Sequence, residues 1–232
     1  SFLALRAIDG VEKVNKNSYA RTFTLAKQNG WFKATYLPNT PYLKVDIHLE
    51  SLESLTLVLN NIERVFDINA DTDTIQNQLM ASGVPTDCIQ HGLRLPGVWD
   101  PFETGCRAIL GQQISVKAAI QLLTQLSNEL GEMHSDKRYF PTPKAVANSD
   151  LSFLKMPNSR RLTLRLLAQY ILDNPTATVD DWLQIKGIGP WTVAYVKMRG
   201  QSVPDIWLDT DLIIKKQLRP RDSKSAPTTL AF

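Results

Sequence analysis

Residues 183–200, LQIKGIGPWTVAYVKMRG, decide how the carboxy-terminal part of this chain folds. Gly187 and Gly189 enclose one apolar residue, and Pro190 follows where the first residue of a helix accepts proline, because its missing N–H would be unpaired there anyway. The pattern predicts a helix, a tight glycine turn and a second helix. Main-chain amides at the start of that second helix favour a phosphate oxygen as ligand, and they hold a sugar-phosphate backbone without reading bases. The hairpin therefore indicates sequence-independent DNA binding, with an ordinary glycine-capped helical hairpin as the alternative.

A cluster of acidic residues follows the hairpin in residues 207–215, WLDTDLIIK. The cluster opens another predicted helix, and Asp209 or Thr210 is a suitable N-cap for it. Asp211 then falls in the first turn, where its charge interacts favourably with the helix dipole. Helix capping and a chemical role for Asp211 are both compatible with this pattern.

The first third of the chain reads as strands. Residues 18–26 and 31–37 are rich in aromatic and β-branched side chains, and the dipeptide Asn29-Gly30 between them predicts a tight hairpin turn. Residues 42–49 alternate apolar and polar side chains, which predicts a third strand with one buried face. We expect a small antiparallel sheet with helices on one side only.

The remaining two thirds read as helices, which makes the fold class α+β. The proline- and glycine-bearing segment 92–101 is the predicted connection between two domains. The predicted domains are therefore an amino-terminal α+β domain over residues 1–91 and a helical domain over residues 92–219, with 220–232 as a tail of uncertain structure. Helical spacing covers residues 52–66, 71–80, 102–110, 115–130, 143–147, 160–172 and 179–185.

Composition excludes several classes of protein. The 232 residues are 43% hydrophobic and 21% charged, which is typical of a globular chain. Cys88 and Cys106 are the only cysteines, too few for a four-thiolate zinc site or iron–sulfur cluster, and the three histidines have no HExxH spacing. A net charge of +3 permits a nucleic-acid partner without arguing for one. We find no membrane span or secretory signal, so the expected location is intracellular.

The hairpin, its spacing of roughly twenty residues to Asp211, and residues 92–119 (GLRLPGVWDPFETGCRAILGQQISVKAA) carry a family resemblance. On these motifs the chain resembles the helix-hairpin-helix DNA glycosylase superfamily, and within it the bacterial 3-methyladenine DNA glycosylase II (AlkA-type) family. The resemblance implies a sheet domain like half of the TATA-binding protein, followed by a helical glycosylase domain. It also implies a monomer without membrane attachment that acts on damaged double-stranded DNA in the bacterial cytoplasm, at the nucleoid.

The resemblance assigns roles to individual residues. By this match Asp211 is the catalytic aspartate, and Trp191, Tyr195 and Phe2 are aromatic residues of the substrate pocket, although an aromatic pair one helical turn apart is more often core. The implied DNA-binding residues are Gln113, Gly187, Ile188, Gly189, Pro190 and Thr192. A structural Na⁺ or K⁺ ion is implied at main-chain oxygens of Leu183, Ile185 and Ile188. No cofactor is required for catalysis.

The residue after Pro190 sets the expected reaction. Related enzymes that also cut the strand carry a lysine nucleophile where this chain has Trp191, and without that amine no Schiff base forms there. Water is therefore the expected nucleophile and an abasic site the product. An electron-rich pocket suits purines made cationic by alkylation, such as 3-methyladenine.

Three departures from the family pattern leave the substrate range open. Gln113 stands where the family has a leucine that fills the gap in the duplex, Leu212 stands where it has tyrosine, and residues 220–232 match nothing in it. Two alternatives stay open: a non-catalytic helix-hairpin-helix DNA-binding module, and a glycosylase for another damaged base.

Overall fold

A computed structural model describes residues 2–211 and 214–215 of this chain. It confirms the predicted α+β order of a sheet followed by helices. The helices are α1 (Phe2–Arg6), α2 (Leu55–Phe66), α3 (Thr72–Ala81), α4 (Pro101–Gly111), α5 (Val116–Leu130), α6 (Pro143–Ala147), α7 (Asn158–Asp173) and α8 (Pro190–Gly200). The strands are β1 (Glu12–Val14), β2 (Ser18–Leu25), β3 (Gln28–Tyr36), β4 (Leu43–Leu49), β5 (Met133–His134) and β6 (Lys137–Arg138). Single 3₁₀ turns occupy Leu52–Ser54, Thr86–Cys88 and Asp180–Gln184. The predictions for Leu212, for residues 216–219 and for the tail 220–232 concern residues outside the described part of the chain.

The main sheet is antiparallel with the strand order β1-β2-β3-β4. Its hairpin turn is not Asn29-Gly30, as the sequence predicted, but Ala26-Lys27, whose φ angles are 49° and 64°. Both residues of the expected turn lie within β3, where Gly30 pairs with Phe23. A Cβ on Gly30 would overlap the carbonyl oxygen of His48 and the Phe23 ring. Glycine is therefore needed there for close packing rather than for turning.

The sheet buries one face against α2. Tyr19, Phe23 and Phe32 pack there with Val58 and Ile62, and the apolar residues of β4 lie on the same side. The β5–β6 ribbon lies on the other face, where the Lys137 ammonium sits 5.3 Å from the centroid of the Trp31 ring.

A second core joins the helices that follow. Leucines 110, 123, 126, 164 and 167 are fully buried in it, together with Trp182 and Val196. The predicted helix over residues 179–185 is a 3₁₀ turn, Asp180–Gln184, rather than an α-helix. Its Trp182 side chain is buried in the helical core, which holds this turn against the other helices.

Each core includes residues that come from outside its own predicted domain. Ile8 and Val11, from the amino-terminal segment, belong to the helical core. Trp99, from segment 92–101, belongs to the sheet core and stacks on Phe23 with ring centroids 4.5 Å apart. The start of the chain is thus packed against the helices, which brings Phe2 towards α8.

Four buried charges link the same two regions. Arg21 on β2 donates to Glu103 on α4 at 2.6 Å, and Arg107 on α4 bonds both Glu103 and Glu12 on β1. Tyr19 adds a 2.6 Å hydrogen bond to Glu12. Because buried charges are tolerated when they are paired and hydrogen-bonded, two arginines and two glutamates form a stable neutral set. No helix within residues 2–211 or 214–215 is long and apolar enough to cross a membrane.

Candidate active site

A cavity of about 290 Å³ is lined by α1, the α4–α5 corner and one side of α8. Three of the predicted substrate residues and the predicted catalytic residue line it together. Its wall includes Phe2, Leu3, Arg6, Glu12, Pro96, Gly97, Val98, Arg107, Ala108, Gly111, Ile114, Val116, Ala119, Ile120, Leu123, Trp191, Tyr195, Arg199 and Asp211. Residues separated by more than two hundred positions, such as Phe2 and Asp211, therefore meet at one place.

Asp211 is held at the wall of this cavity by contacts on both carboxylate oxygens. Its Oδ2 accepts the indole N–H of Trp191 at 3.0 Å, and its Oδ1 accepts the amide of Ile214 at 3.2 Å. Its main-chain oxygen accepts the Lys215 amide at 2.9 Å, so Asp211 is itself the N-cap of the helical turn at 214–215. The expectation that Asp209 or Thr210 caps this helix is therefore wrong. Both of those residues are exposed.

Two aromatic side chains on α8 form one side of the cavity. Trp191 and Tyr195 lie one helical turn apart and stack with their ring centroids 5.2 Å apart at an angle of 18°. Both are partly exposed rather than core residues. A stacked pair that lines a cavity offers a flat surface to a planar ligand.

Phe2 is also part of the wall, and two guanidinium groups lie close to its ring. The Arg6 guanidinium carbon is 4.0 Å from the centroid of the Phe2 ring, and that of Arg199 is 4.7 Å away. Arg199 also donates to the carbonyl oxygen of Pro96 at 3.0 Å. Burial lowers the pKa of Arg199 below its ordinary value, and the positive charge of Arg6 acts in the same direction.

The two glycines of the hairpin turn have different surroundings. Gly187 has a φ of +93°, and a Cβ there would overlap the Thr163 side chain on α7. Gly189 has an extended backbone with open space where a Cβ would be, directly before the amino terminus of α8. Gly187 thus serves internal packing, whereas Gly189 leaves its surface open to another molecule.

The remaining hairpin residues are also partly exposed to solvent and partly packed inside the protein. Pro190 is exposed, while the side chains of Ile188 and Thr192 are buried at 6% and 2% exposure. Any contact of Ile188 or Thr192 with DNA would therefore go through main-chain atoms. Their roles stay predictions.

Gln113 lies at the corner between α4 and α5, beside the cavity. Its side chain is exposed, and its backbone is left-handed with a φ of 58°. Neighbouring Gly111 and Ile114 belong to the cavity wall. Gln113 is therefore an exposed residue next to the cavity wall, and its role in the duplex stays a prediction.

The residues implied to hold a monovalent cation lie on the segment that leads into α8. Leu183 is in the 3₁₀ turn, Ile185 ends it, and the Ile185 oxygen accepts the Ile188 amide at 3.0 Å. Buried side chains at Ile185 and Ile188 fix this backbone. Neutral carbonyl oxygens are a ligand type that hard cations accept. The cation at these oxygens stays a prediction. Within the described residues, no group of three or more His, Cys, Asp or Glu side chains is placed to hold a metal ion.

Sequence reasoning missed the charged part of the wall. Arg6, Arg199 and the Arg107–Glu12 pair all line the cavity. The only available signal was the spacing of Trp191, Tyr195 and Arg199, which places all three on one side of a helix. Arg107 and Glu12 are 95 positions apart, and Arg199 packs on Phe2 from the other end of the chain, so their proximity cannot be read from local patterns.

The arrangement can bind a planar group and act on it with a fixed carboxylate. Stacked rings cover one face of the cavity, and Asp211 is oriented by the Trp191 N–H. A fixed carboxylate stabilises positive charge that develops beside it and can accept a proton from water. Gly189, the extended N-cap residue directly before α8, has open space where a Cβ would be.

Comparison with known sequences finds a matching family model and related proteins. The family model of the AlkA N-terminal domain matches residues 1–100. DNA-3-methyladenine glycosylase 2 of Escherichia coli is 34% identical over 233 residues, covering 93% of this chain and 80% of the E. coli protein. The probable bifunctional transcriptional activator/DNA repair enzyme AlkA of Mycobacterium tuberculosis is 29% identical over 90% of this chain, which spans 45% of that longer protein.

Solved structures share the fold. The 3-methyladenine DNA glycosylase from Archaeoglobus fulgidus superposes with a TM-score of 0.70 at 16% identity, covering 91% of this chain and 77% of the other. The 8-oxoguanine glycosylase/lyase of Clostridium acetobutylicum, in complex with double-stranded DNA, gives a TM-score of 0.65 at 14% identity, with coverages of 93% and 88%. Sequence similarity over most of both chains, on top of this shared fold, establishes that the chain belongs to the DNA-3-methyladenine glycosylase 2 family.

Proposed function

We propose that this chain is a monofunctional DNA glycosylase of base excision repair. It flips an alkylated purine such as 3-methyladenine out of double-stranded DNA, hydrolyses its N-glycosyl bond and leaves an abasic site. The single observation that carries this proposal is the cavity in which the Trp191 indole holds the Asp211 carboxylate at 3.0 Å beside a stacked aromatic pair. Membership of the DNA-3-methyladenine glycosylase 2 family supports the choice of reaction.

The Asp211 carboxylate has two roles in the proposed reaction. Cleavage of an N-glycosyl bond develops oxocarbenium character at C1′ of the sugar, and Asp211 stabilises this charge and accepts a proton from the attacking water. Two hydrogen bonds to its oxygens, from Trp191 and Ile214, fix its orientation before substrate binds. An interaction of Asp211 raises the rate of the chemical step only if it is stronger in the transition state than with the bound substrate.

The aromatic pair receives the flipped base. A base inside the duplex cannot reach Asp211, and extruding it costs a few kcal/mol, least for damaged or mismatched pairs. Stacking on Trp191 and Tyr195 offsets this cost, since base–aromatic stacking is worth about 1 to 3 kcal/mol per base. In this proposal the exposed Gln113, beside the cavity wall, fills the vacated position and bonds the orphan base.

The hairpin holds the DNA backbone. Gly189 and the amides at the start of α8 face a phosphate, while Pro190 lies exposed beside them. A monovalent cation at the main-chain oxygens of Leu183, Ile185 and Ile188 would add positive charge next to the same phosphate. The protein acts as a monomer, and its place of action is the bacterial cytoplasm at the nucleoid, where its DNA substrate lies.

The experiment is excision from duplexes that carry single lesions, with free base and strand breaks measured separately. We expect release of 3-methyladenine or 7-methylguanine and a strand that breaks only after alkali treatment. Binding of lesion DNA without release of any base would instead favour the non-catalytic DNA-binding module. Release of oxidised or deaminated bases alone would keep the mechanism and change the substrate class.

A further inference from the structure

Two segments without any acidic residue meet beside the hairpin turn. Residues 151–172, which contain almost all of α7, and residues 182–204, which contain the turn and α8, have no Asp or Glu. The Thr163 hydroxyl joins them, because it donates to the main-chain oxygen of Lys186 at 3.0 Å and fills the space beside Gly187. Basic side chains of both segments are therefore brought to the same place.

Arg160 and Lys186 lie next to this contact. Arg160 precedes Thr163 by three positions, so the two side chains lie on the same side of α7. Lys186 supplies the carbonyl that Thr163 bonds, and its own side chain is exposed, while that of Arg160 is partly exposed. The two positive charges thus flank the turn that leads to Gly189.

Neither charge is neutralised by the protein itself. In the part of the chain that the structure describes, neither Arg160 nor Lys186 forms a salt bridge. The acidic residues at the ends of the two segments have other partners or lie at the far end of α8: Asp150 accepts the Ser152 amide, Asp173 the Gln169 side chain and Asp181 the Thr178 amide, Asp180 pairs with Lys197, and Asp205 follows the end of α8.

Asp211 is the acidic residue nearest in structure to the start of α8, and it serves the cavity. Its carboxylate accepts the Trp191 indole N–H and the Ile214 amide, and it lines the cavity wall. Arg160 and Lys186 are not part of that wall and lie where the turn meets α7. The side of the turn that faces α7 therefore carries two unpaired positive charges.

The start of α7 carries these charges against its own stability. Arg160 and Arg161 lie in the first turn of the helix, which holds no acidic residue. The amino-terminal end of a helix has a partial positive charge, so basic side chains are unfavourable there. An anion bound beside them would reverse this effect. The placement of the two arginines is thus better suited to an anionic partner than to the free protein.

We propose that Arg160 and Lys186 form a second phosphate-binding surface, which holds the DNA backbone next to the phosphate bound by the hairpin amides. The proposal rests on the proposed function, because it takes duplex DNA as the ligand. Phosphates of one strand follow each other at about 3.4 Å along the helix axis, so long basic side chains beside the turn reach the neighbours of the phosphate at Gly189. Such contacts do not read bases.

The hairpin amides and this surface contribute to DNA binding in different ways. Main-chain amides are neutral and fix the position of a phosphate. A lysine or arginine that neutralises a phosphate also releases a bound counterion, so its contribution to affinity decreases as salt increases. The surface should therefore supply a salt-dependent part of the affinity that is equal for damaged and undamaged duplexes.

The test is fluorescence anisotropy with a lesion duplex and an otherwise identical undamaged duplex, over a series of KCl concentrations. For Arg160→Met and for Lys186→Met we expect affinity at low salt to fall at least about threefold. The slope of log affinity against log salt should become shallower by about 0.9 in each variant, and by about twice as much in the double variant. The loss should be the same on both duplexes.

Three kinds of control separate a phosphate contact from a change in folding or net charge. Arg165→Met removes an exposed, unpaired charge about 200° around α7 from Thr163, and its affinity and salt slope should stay unchanged. Arg160→Lys and Lys186→Arg keep the charge and should keep the slope. Urea denaturation should show Arg160→Met to be at least as stable as the unmodified protein, because an unfavourable charge is removed from the first turn.

Four results would overturn the proposal. They are an unchanged salt slope in the double variant, a loss restricted to the lesion duplex, an equal loss in Arg165→Met, and a lower affinity for polyglutamate with unchanged affinity for both duplexes, which would assign the surface to an acidic protein. An unmodified protein that binds neither duplex would overturn both proposals. If it binds duplexes with the expected variant effects but releases no base, the glycosylase function fails and the phosphate-binding surface is supported.

Discussion

Gly187 packs against the hydroxyl of Thr163 so closely that no side chain fits between the hairpin turn and α7. Thr163 in turn donates to the main-chain oxygens of Ser159 and Lys186, which fixes the turn from the other side. The turn that presents Gly189 to solvent is therefore held by contacts within the protein.

We predict that Gly187→Ala lowers stability rather than DNA affinity alone. A left-handed alanine costs about 1 to 2 kcal/mol, and overlap with Thr163 adds a packing cost of about 1 to 3 kcal/mol. Urea denaturation of the purified variant measures the loss. A variant with unchanged stability and weak DNA binding would contradict the packing role of Gly187.

Gly189→Ala should weaken DNA binding and leave stability almost unchanged. Its Cβ meets no protein atom within 4 Å, so stability stays near that of the unmodified protein. The added methyl group obstructs a backbone contact that carries no base information, so binding to damaged and undamaged duplexes should weaken alike. Fluorescence anisotropy at several salt concentrations measures both affinities. Unchanged affinity for both duplexes would mean that the hairpin is only structural.

Asp211→Asn should abolish base release. Asparagine keeps the size of the side chain but removes the charge that stabilises the transition state, which costs at least about 100-fold in rate. Affinity for lesion DNA should stay equal or improve, because a negative charge near phosphates is lost. Asp209→Asn is the matched control, since Asp209 is exposed two positions earlier. Activity lost in Asp209→Asn and kept in Asp211→Asn would overturn the assignment.

Trp191→Phe separates the hydrogen bond to Asp211 from the stacking surface. Phenylalanine keeps an aromatic face but has no N–H, and a hydrogen bond to a charged group is worth about 1.5 to 3 kcal/mol. We expect single-turnover excision to slow by about 10-fold or more with lesion affinity largely kept, whereas Trp191→Ala should lose both. Trp207→Phe, at a tryptophan with 63% exposure, is the control. An unchanged rate in Trp191→Phe would mean that the indole N–H does not position Asp211.

The protein should have no strand-cleaving activity of its own, because Trp191 stands where a lyase would need an amine. Incubation with lesion duplex and borohydride should trap no covalent adduct, and the product strand should break only in alkali. A bifunctional glycosylase run in parallel shows that trapping works. A trapped adduct in the unmodified protein would show that another lysine supplies a lyase step.

Asp100, the N-cap of α4, should make stability fall as pH rises through the acid range. Burial, and next the negative charge of Glu103, raise the pKa of Asp100 to about 6 from an ordinary value of 3.8. Between these pH values the folded state binds more protons than the unfolded state, so the free energy of unfolding decreases with rising pH.

Asp100→Asn should remove this pH dependence. Asparagine caps a helix as well as aspartate does, and it can still accept the Glu103 amide. The stability difference in favour of the variant should grow between pH 4 and pH 7, to at most about 3 kcal/mol. Asp71→Asn, at the exposed N-cap of α3, is the control. A constant difference across this pH range would contradict the raised pKa.

Local patterns predicted the strands well and the turn between them poorly. Alternation located β2, β3 and β4 because one face of each is buried, and side-chain direction repeats every two residues. Asn29-Gly30 is a strong turn signal, yet the turn is Ala26-Lys27, since Gly30 is needed where β3 approaches His48. That requirement comes from a neighbouring strand and cannot be read from the dipeptide.

The functional site was likewise predicted only in part. The family resemblance predicted Trp191, Tyr195 and Asp211 together, and all three line one cavity. Asp211 as the N-cap was not predicted, since three neighbouring residues were suitable. Arg6 and Arg199 were missed because their environment depends on Phe2, which reaches the cavity only through packing between distant segments.

The buried set of Arg21, Glu12, Glu103 and Arg107 makes the sheet and the helices one thermodynamic unit. If either region opened alone, the two pairs that join them, Arg21–Glu103 and Arg107–Glu12, would break, and breaking a buried pair costs about 3 to 5 kcal/mol. Partial unfolding is therefore penalised beyond the loss of apolar contacts. Calorimetry should show a single cooperative transition in place of two, and the base pocket, whose wall both regions share, should be lost in that same transition.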